Sequence, residues 1–259
     1  MRGAEQGQRC EVPHPAECAS LKRMARSGEA VRRNDPELYE TLADQWWHRR
    51  GAFAMLHWLA AARAALVPPA PRPGAVLVDL GCGGGLLAPH LSGYRHVGVD
   101  RSASALRTAA AHGVEPVLAD VGAVPLPDGC ADCVVAGEIL EHVTDLPAAV
   151  GEACRLLRPA GVLVLDALAA TARCRWVAIG LGERLPGIAP RGTHDPALLV
   201  DRRALVELAA ARGVELRLRG VRPSVRDLLG WWGGRTEDVR MVPCASTAVL
   251  FQGVGCKRG

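Results

Sequence analysis

From position 75 onward the chain alternates short apolar runs with longer amphipathic ones. "AVLVDL" (75–80), "HVGVD" (96–100), "EPVLAD" (115–120), "ADCVVAG" (131–137) and "VLVLDAL" (162–168) are brief runs bounded by turn residues. Such runs predict buried strands. Helices are predicted between and after them. "LLAPHLSG" reads as a short one. "SASALRTAAAHG" (102–113) opens on a capping serine and ends on glycine, and "DLPAAVGEACRLLRPAG" (145–161) opens on Asp145 and has Gly161 past its end. "RRALVELAAARG" (202–213) is a further helix, and "VELRLRGV" (214–221) with "STAVLFQGV" (246–254) forms a closing antiparallel pair. Upstream, "NDPELYETLADQWW" places Leu38, Leu42 and Trp46 at helical spacing behind an Asn34 or Asp35 cap. "AFAMLHWLAAARAALV" continues as a second helix until "PPAPRPG" (68–74) breaks it.

Strands separated by helices predict an α/β fold, a Rossmann-like doubly wound sheet of seven strands with an antiparallel last strand, plus N-terminal helices. Residues 1–33 lack periodicity and read as a disordered or loosely attached tail. Residues 34–68 then form helices over a ligand site, and 74–255 form the main domain, with a substrate-covering insertion at about 170–200. In such sheets ligands bind at the carboxyl ends of the strands. That rule gathers Gly81–Gly85, Asp100, Asp120 and Gly137–His142 on one edge.

Composition narrows the classes. The 259 residues are 49% hydrophobic and 22% charged, an ordinary globular balance, and the net charge of +4 is too weak to argue for nucleic acid. Nine cysteines, an odd number, with no zinc-site spacing beyond the Cys130–Cys133 pair, read as free thiols in a reducing cytosol. The N-terminus lacks the apolar core of a signal peptide, and no apolar run reaches the roughly 18–20 residues of a membrane span. The expected location is therefore cytoplasmic. "RWVAIGLGERLPGIAP" (175–190) mixes apolar and basic residues. It is read first as a substrate cover, with peripheral contact at the inner membrane face as the second reading.

The chemistry starts at the first strand's end. Gly81, Gly83 and Gly85 allow a left-handed turn and close approach of a ligand. Asp79 beside them is unwelcome to a pyrophosphate but suits a cation, and S-adenosylmethionine carries a sulfonium and an ammonium. Asp100 is placed to accept the ribose hydroxyls, and Asp120 to meet the adenine amino group with Val121 packed beside the ring. A nicotinamide-dependent oxidoreductase fits this acid and the G-x-G-x-G spacing poorly.

"VDLGCGGGLLAPHL", "LADQWWHRRGAFAMLHWLAAAR", "GEILEHV" and "PRGTHD" (190–195) together resemble the class I S-adenosylmethionine-dependent methyltransferases, in the branch of the ubiquinone-biosynthesis O-methyltransferases. The resemblance spans roughly residues 38–230. It implies O-methylation of a phenol, catechol or quinol hydroxyl, with a polyprenylated ring as the family's acceptor. It also implies that Arg63 contacts the cofactor and that Gly137 holds a cofactor-facing position often filled by a larger residue. His194 would sit in the substrate-side loop. Alternatives are an N- or C-methyltransferase of a small metabolite and a silent cofactor-binding subunit.

"GEILEHVT" (137–144) remains open from its residues alone: metal site, base, or helix cap. A helix beginning near Glu138 would put Glu138, Glu141 and His142 on one face. The resemblance associates that trio with a divalent cation such as Mg²⁺, which suits carboxylate-rich sites. His142, ordinarily titrating near ~6.5, is the candidate general base, with Glu138 beside it.

Overall fold

A computed structural model describes residues 33–259. The expected tail lies outside the described residues apart from Arg33. Among the described residues the sheet has eight strands in the order β3-β2-β1-β4-β5-β8-β6-β7. These are β1 (Ala75–Leu80), β2 (Tyr94–Asp100), β3 (Glu115–Leu118), β4 (Ala131–Gly137), β5 (Leu157–Leu168), β6 (Val214–Pro223), β7 (Met241–Cys244) and β8 (Leu250–Lys257). Strands β1 to β5 pair in parallel, and β8 runs antiparallel to both β5 and β6. The antiparallel last strand is as expected; the count exceeds the expected seven by β7. That strand is short and carries Pro243, so no alternation announces it. It sits at the sheet's edge, where a proline costs no ladder bond.

The helices are α1 (Pro36–Thr41), α2 (Ala54–Ala64), α3 (Ala103–Ala111), α4 (Leu146–Leu156), α5 (Arg202–Ala210) and α6 (Val225–Trp232). Capping side chains fix where several begin. Asp35, Ser102, Asp145, Asp201 and Ser224 each accept a backbone N–H from the first turn. The Leu38–Leu42–Trp46 periodicity does not make one long helix. After α1 the chain passes into a 3₁₀ turn, Ala43–Gln45. "LLAPHLSG" likewise yields only the 3₁₀ turn Ala88–His90, with Pro89 inside it. β5 starts at Leu157, directly after α4, rather than at Val162.

The main core lies where Val78, Leu80 and Val99 of the central strands meet Val150, Ala153 and Leu156 of α4 and Leu205 of α5. A second cluster joins α2 to β5 and to the 170–200 region through Leu59, Leu168, Ile179 and Leu199. That region coils as Ala172–Cys174, a π-helical run Arg175–Leu181, and a 3₁₀ turn Gly182–Arg184. Trp176 and Leu181 stand exposed on it. Among the described residues no helix is long and apolar enough to cross a membrane.

Candidate active site

At the carboxyl edge, β1 hands the chain to Gly81 (φ 71°) and Gly83 (φ 51°), left-handed conformations that glycine adopts without strain. The turn is held from β2: Gly81 and Cys82 donate to Val99 O at 2.8 and 3.1 Å, and Gly83 donates to Asp100 Oδ2 at 2.9 Å. Asp100 Oδ1 accepts from Ser102 N at 2.9 Å, so one carboxylate ties the turn to the start of α3. Burial pushes the Asp100 carboxyl upward. Asp79 is buried beside it, 3.3 Å from His96 Nε2. Asp120 lies half-exposed past β3, its Oδ1 accepting from Gly122 N at 2.8 Å, with Val121 buried next to it.

A Cβ at Gly81 would stand 2.6 Å from Ile139 Cγ1. We expect Gly81→Ala to weaken cofactor binding at least about tenfold, since a left-handed alanine costs about 1–2 kcal/mol before the clash is relieved. Calorimetric titration with S-adenosylhomocysteine checks this; an unchanged affinity would mean the turn does not touch the ligand.

These groups line a cavity of about 1190 Å³, whose wall also includes His142 and His194. Gly85 is not part of that lining. A Cβ there would meet Ala109 Cα at 3.0 Å, so glycine at this position lets the turn pack closely against α3. The tryptophans cover the turn: Trp46 stacks on Phe53 at 4.2 Å, and Trp47 Nε1 donates to Gly84 O at 3.0 Å.

The Glu–Glu–His stretch is not a helix start. Glu138 takes a left-handed φ of 51°, and only Leu140–His142 coils, as a 3₁₀ turn. The strained Glu138 is held by its own N–H, which donates to Asp166 O at 3.1 Å and to Asp166 Oδ1 at 3.0 Å. The three side chains consequently part. Glu141 is fully buried with Oε1 accepting from Leu168 N at 3.3 Å, and it does not line the cavity. His142 turns toward the N-terminal segment, with Nδ1 2.6 Å from Asn34 Oδ1. Among the described residues no group of three or more His, Cys, Asp or Glu side chains is arranged to hold a metal ion. The expected three-ligand set is thus not assembled. What does remain is a pair of buried carboxylate oxygens, Glu138 Oε1 and Glu141 Oε2, without hydrogen-bond partners. Desolvation pushes both carboxyls up, and for Glu138 the charge of Glu141 adds to it. His142 is pushed down to about 3, by burial first and His194 second, so it stands neutral and is a weaker base than a free imidazole until a charge or ligand enters the site.

Arg63 reaches the same place from α2. Its Nε and Nη2 bind Asp166 Oδ2 and Oδ1 at 2.8 and 2.9 Å, a bidentate pair with both partners buried. Burial works against the arginine's charge, and Asp166 more than offsets it, so the net shift is upward. The guanidinium fills the space a side chain at position 137 would occupy, which explains glycine there. His194 is buried against the cavity, its ring 5.5 Å from that of His142 and its Nδ1 3.4 Å from Glu183 Oε1.

Several participants escaped the sequence reading. Asp166, Tyr39, Asn34 and Glu183 meet the site from across the chain. Only Asp166 left a signal, an acid ending a buried strand on the ligand edge.

A family model described as a methyltransferase domain matches residues 78–165. A ubiquinone biosynthesis O-methyltransferase of Methylobacterium sp. (strain 4-46) is 33% identical over 192 residues, covering 66% of this chain and 77% of that protein. The protein of the same name from Ralstonia nicotianae is 34% identical over 197 residues, covering 71% and 82%. In structure the chain is similar to a possible histamine N-methyltransferase of Thermotoga maritima, with a TM-score of 0.60 over 86% of this chain and 97% of that one; at 20% identity this speaks for the fold alone. Neither oxidoreductase nor silent-subunit readings find support in these likenesses. The chain belongs to the ubiquinone biosynthesis O-methyltransferase family of class I S-adenosylmethionine-dependent methyltransferases.

Proposed function

We propose that this enzyme methylates a phenol, catechol or quinol hydroxyl on a ring carrying a polyprenyl-like tail. The observation that carries the reading is the lining of the cavity. Besides the cofactor-side groups and His142 it includes Leu168, Val177, Leu181, Ile188, Val221 and Leu228, apolar side chains that could meet a hydrocarbon tail. The names of the relatives support an acceptor of this kind.

S-adenosylmethionine, when bound, supplies a methyl group on a sulfonium leaving group. The turn and its acids fit it. Asp79 faces the cationic end, Asp100 the ribose hydroxyls, and Asp120 with Val121 the adenine. Arg63 Nη1, which takes no part in the Asp166 pair, is available to the cofactor's carboxylate. His142 Nε2 then accepts the proton of the acceptor hydroxyl, while the cavity walls hold that oxygen in line. A divalent cation would meet only Glu138 at the cavity wall, because Glu141 does not line it, so among the described residues the carboxylates do not assemble a site that could chelate the acceptor hydroxyl.

Steady-state transfer to catechol and to a polyprenyl catechol, each with and without EDTA, tests the reading. The tail should lower KM at least about tenfold, since each buried methylene is worth about 0.8 kcal/mol. Equal KM values for the two, or transfer to amines instead, would remove the tailed phenol. Full activity in EDTA is expected, and loss of activity with the chelator would show that a cation takes part.

A further inference from the structure

Asn34, ahead of α1, makes three hydrogen bonds. Its N–H donates to Gly192 O at 2.9 Å, its Nδ2 donates to His142 O at 3.0 Å, and its Oδ1 lies 2.6 Å from His142 Nδ1. Its φ of 55° is left-handed, a conformation that asparagine tolerates better than most residues.

The donor inventory settles which atom carries the ring proton. A backbone carbonyl only accepts, so the atom of Asn34 facing His142 O must be the NH₂ group. Its other side-chain atom, facing Nδ1, is therefore the amide oxygen, which also only accepts. Nδ1 must then be the N–H of the neutral ring, and Nε2 must hold the lone pair. Tyr39 Oη stands 3.5 Å from Nε2, on the cavity side, where an acceptor hydroxyl would approach. The opposite tautomer would set the Nδ1 lone pair against the Asn34 oxygen and leave Nε2 unable to take a proton.

We propose that Asn34 is a positioning residue: its side-chain amide fixes His142 in the Nδ1–H tautomer and so aims the Nε2 lone pair into the acceptor cavity. The role in turnover rests on the reading of His142 as base; the tautomer does not. Because the same residue also binds Gly192 O, the base is set only when the N-terminal segment and the 190–194 loop are joined. His194, stacked on the other face of His142, and Glu183 behind it are the other titratable groups on that side. Neither contacts Nδ1.

The test uses full-length protein with ¹⁵N-labelled histidine rings, and two-bond ¹⁵N–¹H correlation spectra. The His142 signals are assigned by their loss in His142→Gln. The wild type should show the Nδ1–H pattern for His142, and Asn34→Gly, which keeps the left-handed backbone without strain, should shift it toward Nε2–H. In the same variant kcat should fall about tenfold to a hundredfold while KM and cofactor affinity stay within about twofold. Asn34→Ala should fold less well at this φ, so Asn34→Gly carries the test. An Nε2–H ring in the wild type, or an Nδ1–H ring unchanged in Asn34→Gly, overturns the inference. If His142→Gln turns over at the wild-type rate, the general-base reading falls, and the spectra still decide the tautomer.

Discussion

His142→Gln should lower kcat by about 10²–10⁴, the usual worth of a positioned general base. Glutamine is the informative substitute because its amide can still meet Asn34 while offering no basic nitrogen. The cofactor side of the cavity is built from other elements, β1, β2 and the turn after β3, so affinity for S-adenosylhomocysteine should stay within about twofold. The effect should therefore fall on kcat and not on binding. Retention of kcat would show that the hydroxyl loses its proton to another group.

Arg63→Ala should cost about 3–5 kcal/mol of stability, because it strands the Asp166 carboxylate in a buried site. For a domain of this size that corresponds to a fall in Tm of roughly 6–20 °C. The loss is not confined to one pair. Asp166 Oδ1 also holds the N–H of Glu138 in its left-handed conformation, so the stretch leading to His142 should loosen with it. The double variant Arg63→Met with Asp166→Leu removes both charges and fills the space, and should recover most of the stability but not the activity. A single variant that melts within about 2 °C of wild type would mean that water reaches the pair and that it does not organise the site.

The sheet was legible because buried parallel strands are short apolar runs and because capped helices separate them. The turn at Gly81 and the acids at the strand ends were legible for the same reason, since the ligand edge follows from topology. What failed to show was conformation that depends on distant partners. Glu138 looks like a helix start in its local sequence, yet its N–H is claimed by Asp166, and the backbone turns left-handed instead. Gly85 shares the spacing of the cofactor glycines, and its close packing on Ala109 of α3 leaves no local sign. β7 is four residues with a proline, too short to carry a period. The contact between Asn34 and His142 joins residues 108 apart, and the Arg63–Asp166 pair joins residues 103 apart, so neither leaves a local pattern.

Glycine at position 137 shows how such a gap closes. In the sequence it reads as a departure from the family, a missing cofactor contact. In the structure the guanidinium of Arg63 occupies that space, so the departure and the buried ion pair are one arrangement.

The most direct test is a single-turnover reaction with methyl-labelled S-adenosylmethionine and a polyprenyl catechol, with the labelled product identified by mass spectrometry and NMR. The proposed function predicts one labelled methyl ether on a ring oxygen, formed at least a hundredfold more slowly by His142→Gln at equal cofactor occupancy. Label on carbon or nitrogen, or no transfer from enzyme that binds the cofactor, would contradict it.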